Sequence, residues 1–106
     1  MAKFGEEIID FLKVLSKNEI NNRLISQCVR SGTSNYMEAN HASSKKDFRN
    51  KIKICLKEAN ETKHWIRMIA RANSNDKNTC RKLWDEAHQL TMIFAKICSS
   101  CDKNKN

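Results

Sequence analysis

Three groups of residues in this chain have types and spacing that could do chemistry. Glu58 and Glu61 stand one helical turn apart, and His64 follows Glu61 at the Glu-x-x-His spacing of carboxylate-bridged metal sites. Such a site needs that motif on two helices, and here it occurs once. His88 follows Glu86 by two residues, which is the wrong interval. The pair is therefore read as charge partners of Lys57, Arg30 or a neighbouring subunit. Cys98-x-x-Cys101 has the spacing of a zinc or redox pair. No second such pair exists, both thiols fall on or beside an apolar helical stripe, and a buried structural role is the expectation. The third group is cationic: Lys53, Lys57, His64, Arg67 and Arg71, with Asn50 and Asn60 interleaved. Positive side chains on one face attract a phosphate backbone by counterion release without reading sequence. The competing reading is a solvated face that keeps the protein soluble.

Charge distribution favours a role for that face. The net charge is +8, and the segment from His41 to Lys82 holds twelve Lys or Arg against four acids. The remainder carries eight of each sign, so the whole excess lies on one helical hairpin. No Ser/His/Asp arrangement, glycine-rich phosphate loop or His-Glu-x-x-His run occurs, which points away from an enzyme, a cofactor, a bound metal or a small-molecule substrate.

The elements that must position these residues are helical. Proline is absent, glycine occurs only at Gly5 and Gly32, and 106 residues suffice for one domain, 1–106, with a single core. Acids inside the apolar N-terminal stretch exclude a signal peptide or a membrane span there. Five cysteines, an odd number without a secretory signal, fit a reducing, cytoplasmic setting.

A first helix is predicted over about Lys3–Leu15, with Phe4, Ile8, Phe11, Leu12 and Leu15 on one face. Ser16 and Glu19 form a candidate capping box, with Leu15 and Ile20 as its hydrophobic staple. A second helix is expected from about Lys17 to Ala42, its small residues around Gly32 permitting close packing; a break at Gly32 is the alternative.

The third helix starts at a Ser44-x-x-Asp47 cap and reaches about Ala72. Phe48, Ile52, Cys55, Ala59, Thr62, Ile66 and Ile69 recur along it at the 4,3 interval of a bundle seam. Beside that seam runs a stripe of Ile54, Glu58, Glu61, Trp65 and Met68. Ile54, Trp65 and Met68 make it a candidate oligomer interface. An intramolecular boundary between the third and fourth helices is the other reading. Asn73–Asn78 connects to a fourth helix over about Thr79–Cys101, and Asp102–Asn106 reads as a frayed tail. The fold class is all-α, an up-down-up-down antiparallel four-helix bundle.

The run RSGTSNYMEANHASSKKDF followed by KICLKEANETKHW resembles the bacterial 23S ribosomal RNA intervening-sequence protein family. The likeness extends from FGEEIIDFLKVL through INNRLISQ to RKLWDEAHQLTMIFAKI. The motif matches from Arg30 through Ser34, at Asn35, Tyr36, Glu38 and Ala39, and at Ser44, Lys45, Asp47 and Phe48. It continues at Lys57, Glu58, Ala59, Glu61, Thr62 and Trp65. The resemblance implies a left-handed four-helix bundle that assembles as a homo-oligomer, typically a pentamer. It also implies kinship with the accessory variability proteins of diversity-generating retroelements, basic rings that bind RNA or DNA and a reverse transcriptase. One departure is plain: about three residues usual in the family between the positions of Ser34 and Asn35 are missing. Losing three residues from a 3.6-residue turn rotates the downstream chain by about 60°.

The function expected from all this is a non-enzymatic, RNA-binding or DNA-binding accessory of nucleic acid or a ribonucleoprotein. A protein–protein interaction scaffold is the alternative.

Overall fold

The computed structural model describes residues 2–33 and 42–103. They form four α-helices and no strand: α1 (Ala2–Lys13), α2 (Glu19–Gly32), α3 (Lys45–Ala72) and α4 (Lys77–Lys103). Neighbouring helices run antiparallel, as cross-helix partners show. Asn21 and Ser31 of α2 meet Asn73 and Thr62 at the far end and middle of α3, and Lys63 and Arg49 of α3 meet His88 and Asp102 of α4. Asp102, expected in a frayed tail, is thus inside the last helix and tied to α3.

Each helix end has a local cause. α1 closes with tightened i to i−3 bonds, Val14 N to Phe11 O at 3.2 Å and Leu15 N to Leu12 O at 3.4 Å, which satisfy carbonyls that the helix leaves open. α2 is capped by Asn18, whose side-chain oxygen accepts from Asn21 N at 2.8 Å, not by Ser16. The expected staple fails for the same reason: with the cap two residues later, Ile20 lies in the first turn and stays 64% exposed.

The expected continuation of α2 to Ala42 is also corrected. The helix stops at Gly32, where the Thr33 hydroxyl donates to Val29 O at 2.6 Å and the Thr33 N–H donates to the same carbonyl at 3.1 Å. Both readings of Gly32 meet here, since it ends the helix and also permits a close approach to α1. An added Cβ would lie 3.1 Å from Ile8 Cγ2. Ser34, Asn35, Tyr36, Glu38 and Ala39, and the site of the missing three residues, lie outside the described residues.

The α3 start agrees with expectation. Ser44 Oγ accepts from Asp47 N at 3.0 Å, and Asp47 Oδ2 accepts from Ser43 N at 3.0 Å. That backbone donation, together with the nearby Lys51 ammonium, holds the Asp47 carboxyl below its ordinary range. The buried residues of α3 are Ile52, Cys55, Ala59, Thr62, Ile66 and Ile69, all on the seam read from the sequence, with Phe48 half-buried at its start.

Lengths divide the bundle into two unequal halves. α3 has 28 residues, about 42 Å, whereas α1 has 12 and α2 has 14, about 18 and 21 Å. The short helices therefore cover only the end of the α3–α4 hairpin nearest its turn. There Ile8, Leu12, Cys28, Ile66, Ile69 and Leu83 form the larger core cluster. The second cluster, Ile52, Cys55, Ala59, Phe94 and Cys98, contains no residue of α1 or α2. The described molecule measures 50 × 20 × 20 Å with a radius of gyration of 15.0 Å, against about 13 Å for a compact chain of this length.

Candidate nucleic-acid interface

The basic stripe is presented to solvent as the sequence implied. Lys53, Lys57, His64, Arg67 and Arg71 are all exposed on α3. Their 4,7,3,4 spacing keeps them on one helical stripe about 27 Å long. Among the described residues no carboxylate lies within ion-pair distance of Lys53, Lys57, Arg67 or Arg71. His64 sets its ring edge-on against Trp65, with centroids 4.8 Å apart. The stripe thus keeps most of its positive charge available.

Tertiary structure divides the five. Lys53 and Lys57 lie toward the two-helix half of the hairpin. Arg67 and Arg71 line an open groove of about 720 Å³ between α3 and α4. α4 adds Lys77, Arg81 and Trp84 to that groove, and Ile66, Ala70 and Cys80 supply apolar lining. Asp85 is the one carboxylate in the lining. Trp84 is braced by a stacked His88, centroids 5.1 Å apart, and by Lys63, whose ammonium stands 5.1 Å from the indole centroid and 3.2 Å from His88 Nδ1. The sequence reading assigned Lys77, Arg81 and Trp84 to no site, and weighed His88 only as a metal ligand. Their 4,3,4 spacing along one face of α4 was the signal available.

The carboxylates of the possible metal motif are committed elsewhere. Arg30 of α2 pairs with Glu61 and, at 3.3 Å, with Glu58. Trp65 Nε1 donates to Glu61 Oε1 at 3.2 Å. Arg30 is thus the charge partner among those expected. Among the described residues no three His, Cys, Asp or Glu side chains gather as a metal-holding cluster.

Trp65 lies on the α2–α3 seam, beside Leu24, Ser26 and Gln27, and packs against the larger core cluster. Ile54 and Met68, its companions on the stripe, are 58% and 37% exposed.

The thiols are quiet. All five cysteines are free, and Cys28, Cys55, Cys80 and Cys98 are buried. Burial pushes the Cys28 thiol up to about 12 and the Cys80 thiol up to about 11, and raises Cys98 as well. A nucleophilic or metal-binding thiolate needs the opposite shift. Elsewhere, Glu86 of α4 is held above the usual carboxylate range by a hydrogen bond with Glu7 of α1, then by burial. Among the described residues no helix is long and apolar enough to cross a membrane.

Comparison with known proteins agrees with this architecture. A crystal structure of a protein of unknown function from the S23 ribosomal protein family, from Bacteroides thetaiotaomicron VPI-5482, superposes with a TM-score of 0.78 at 29% identity. The match covers 91% of this chain and 92% of that one. No curated protein matches the chain significantly. The family model for the 23S rRNA-intervening sequence protein matches residues 1–104. With that match over nearly its whole length, and with the helical bundle that the likeness implied, the chain belongs to the 23S rRNA-intervening sequence protein family.

Proposed function

We infer that this protein is a non-enzymatic nucleic-acid accessory that binds RNA or DNA through the exposed basic face of α3. The observation that carries the reading is the stripe itself, in which Lys53, Lys57, Arg67 and Arg71 point to solvent without carboxylate partners among the described residues. Charges left unneutralised along about 27 Å of one helix match the repeating charge of a phosphate backbone. Homo-oligomerisation, as a pentamer in the family the sequence resembles, would multiply the face. A cytoplasmic setting and a partner protein such as a reverse transcriptase belong to the same proposal.

The test is a mobility shift with RNA and DNA across a salt series. Changing Lys53, Lys57, Arg67 and Arg71 together to Glu should abolish the salt-dependent shift while the helical spectrum is kept. An unchanged shift would refute the reading.

A protein scaffold is the second reading, favoured by one observation. Ile54, Met92 and Ile93 are 58%, 60% and 47% exposed on the hairpin half that α1 and α2 leave uncovered. Capture of a single protein that survives nuclease treatment, with no affinity for nucleic acid, would favour it instead.

A further inference from the structure

We propose that the groove between α3 and α4 is a subsite for unpaired nucleic acid, holding one or two exposed bases against Trp84 while Arg67, Arg71, Lys77 and Arg81 take the flanking phosphates. The proposal rests on the nucleic-acid reading above and adds to it residues of α4 and a preference between ligand forms.

The argument starts from the composition of the groove. Its rim is cationic and its lining includes Ile66, Ala70, Cys80 and Trp84. A duplex presents sugar and phosphate outward and would engage the rim while leaving the apolar lining without a partner. An unpaired strand offers both surfaces: phosphates for the rim, and flat bases whose burial against an aromatic ring contributes about 1–3 kcal/mol each. With four cations against one carboxylate, the groove selects an anionic occupant. Its volume of about 720 Å³ falls within the roughly 300–1,000 Å³ typical of small-ligand clefts, room for one or two bases of a strand.

Trp84 is suited to the role by how it is held. His88 and Lys63 fix the indole, yet neither lines the groove. The ring therefore meets the groove over a different part of its surface. A pre-positioned ring loses little conformational freedom when a base docks. Arg67 and Arg71 sit at the end of the basic stripe, so a strand tracking along α3 would reach the groove without leaving positive charge.

The experiment compares a single-stranded RNA of about twenty nucleotides with its duplex, long enough to cover stripe and groove together. The full chain should prefer the strand by about tenfold, the scale of one stacked base. Lys77→Glu with Arg81→Glu, both exposed positions on α4, should remove that preference, and Lys53→Glu with Lys57→Glu should weaken both ligands alike. A Trp65→Phe background leaves Trp84 as the only indole, and its emission should be quenched by the strand and not by the duplex. Equal binding of strand and duplex, or indifference to the α4 changes, overturns the subsite; a loss in the Lys53/Lys57 variant would then still uphold the α3 reading. Absence of any salt-dependent binding defeats both. Displacement of the strand by an acidic polypeptide at lower concentration than by competing RNA overturns the subsite in favour of a protein ligand.

Discussion

Asn21 and Asn73 exchange side-chain amide hydrogen bonds in both directions, each 2.9 Å long, across the junction where α2 begins and α3 ends. Each amide is also anchored locally. Asn21 Nδ2 donates to Ser16 O at 2.8 Å, and Asn73 Nδ2 donates to Ile69 O at 2.9 Å. The pair therefore satisfies the carbonyl of the α1–α2 turn and the last turn of α3 at once. Asn21 is only 2% exposed, so water cannot replace a lost partner easily.

Asn21→Ala should consequently cost about 1–3 kcal/mol of unfolding free energy, the penalty of leaving buried polar groups unpaired. Asn73→Ala should cost a similar amount, and the double variant less than their sum, because each single change already breaks the exchange. Urea unfolding of the four proteins measures the coupling. Additive losses would show that the two amides act separately.

The two glycines should respond oppositely to alanine. At Gly32 a Cβ would meet Ile8 Cγ2 at 3.1 Å and Thr62 Cγ2 at 3.5 Å, and Ile8 is fully buried with nowhere to retreat. Overpacking of about 1–3 kcal/mol then exceeds the gain from removing a helical glycine. At Gly5 the nearest atom is Gly32 O at 3.6 Å, an ordinary contact. Gly5→Ala should stabilise by about 0.4–1 kcal/mol through the unfolded chain. Thermal melting of both variants reads the signs directly.

Two ion pairs of α2 should differ in value. Arg23 and Glu19 are 3.9 Å apart with both side chains more than 80% exposed, so Arg23→Ala should change stability by less than about 0.5 kcal/mol. Arg30 faces Glu58 and Glu61, whose side chains are 16% and 26% exposed, and Glu61 also accepts the Trp65 bond. Arg30→Met should cost about 1–3 kcal/mol, because two half-buried carboxylates lose their charged donor. Raising the salt concentration should lessen the second loss only in part. Denaturant midpoints at low and high salt separate the cases.

Alkaline pH should unfold the protein through its buried thiols. Cys28 and Cys80 ionise near 12 and 11 when folded, against an ordinary 9.0 in the unfolded chain. Below pH 9 both states hold these protons and stability is unaffected. Above it the unfolded chain releases them first, so stability falls by about 1.4 kcal/mol per pH unit for each thiol until the folded value is reached. Cys28→Ala should flatten that decline above pH 9. In native protein at pH 8, Cys101 should react with a thiol reagent well before Cys28 and Cys80.

Much of the fold could be read along the chain because α3 is long and regular. A 4,3 repeat sustained from Phe48 to Ile69 has one helical solution, and the Ser44 cap fixes where it starts. The exposure of Lys53, Lys57, His64, Arg67 and Arg71 is a consequence, since residues opposite an apolar seam must face water. At the α2 start Ser16-x-x-Glu19 satisfies the sequence pattern, yet Asn18 is the cap: its side-chain oxygen accepts from the N–H of Asn21, the residue held through Asn73 at the end of α3. That choice depends on a contact 52 residues away.

Sequence by itself determined which faces of the helices are apolar and where the positive charge collects, because both arise from periodicity within one element. Only the tertiary structure decided that Arg67 and Arg71 join Lys77, Arg81 and Trp84 in one groove, that Arg30 occupies Glu58 and Glu61, and that α1 and α2 cover just half of the hairpin. Those arrangements are set by how helices of unequal length dock, through contacts between residues far apart in the chain, and no pattern within a single helix encodes them.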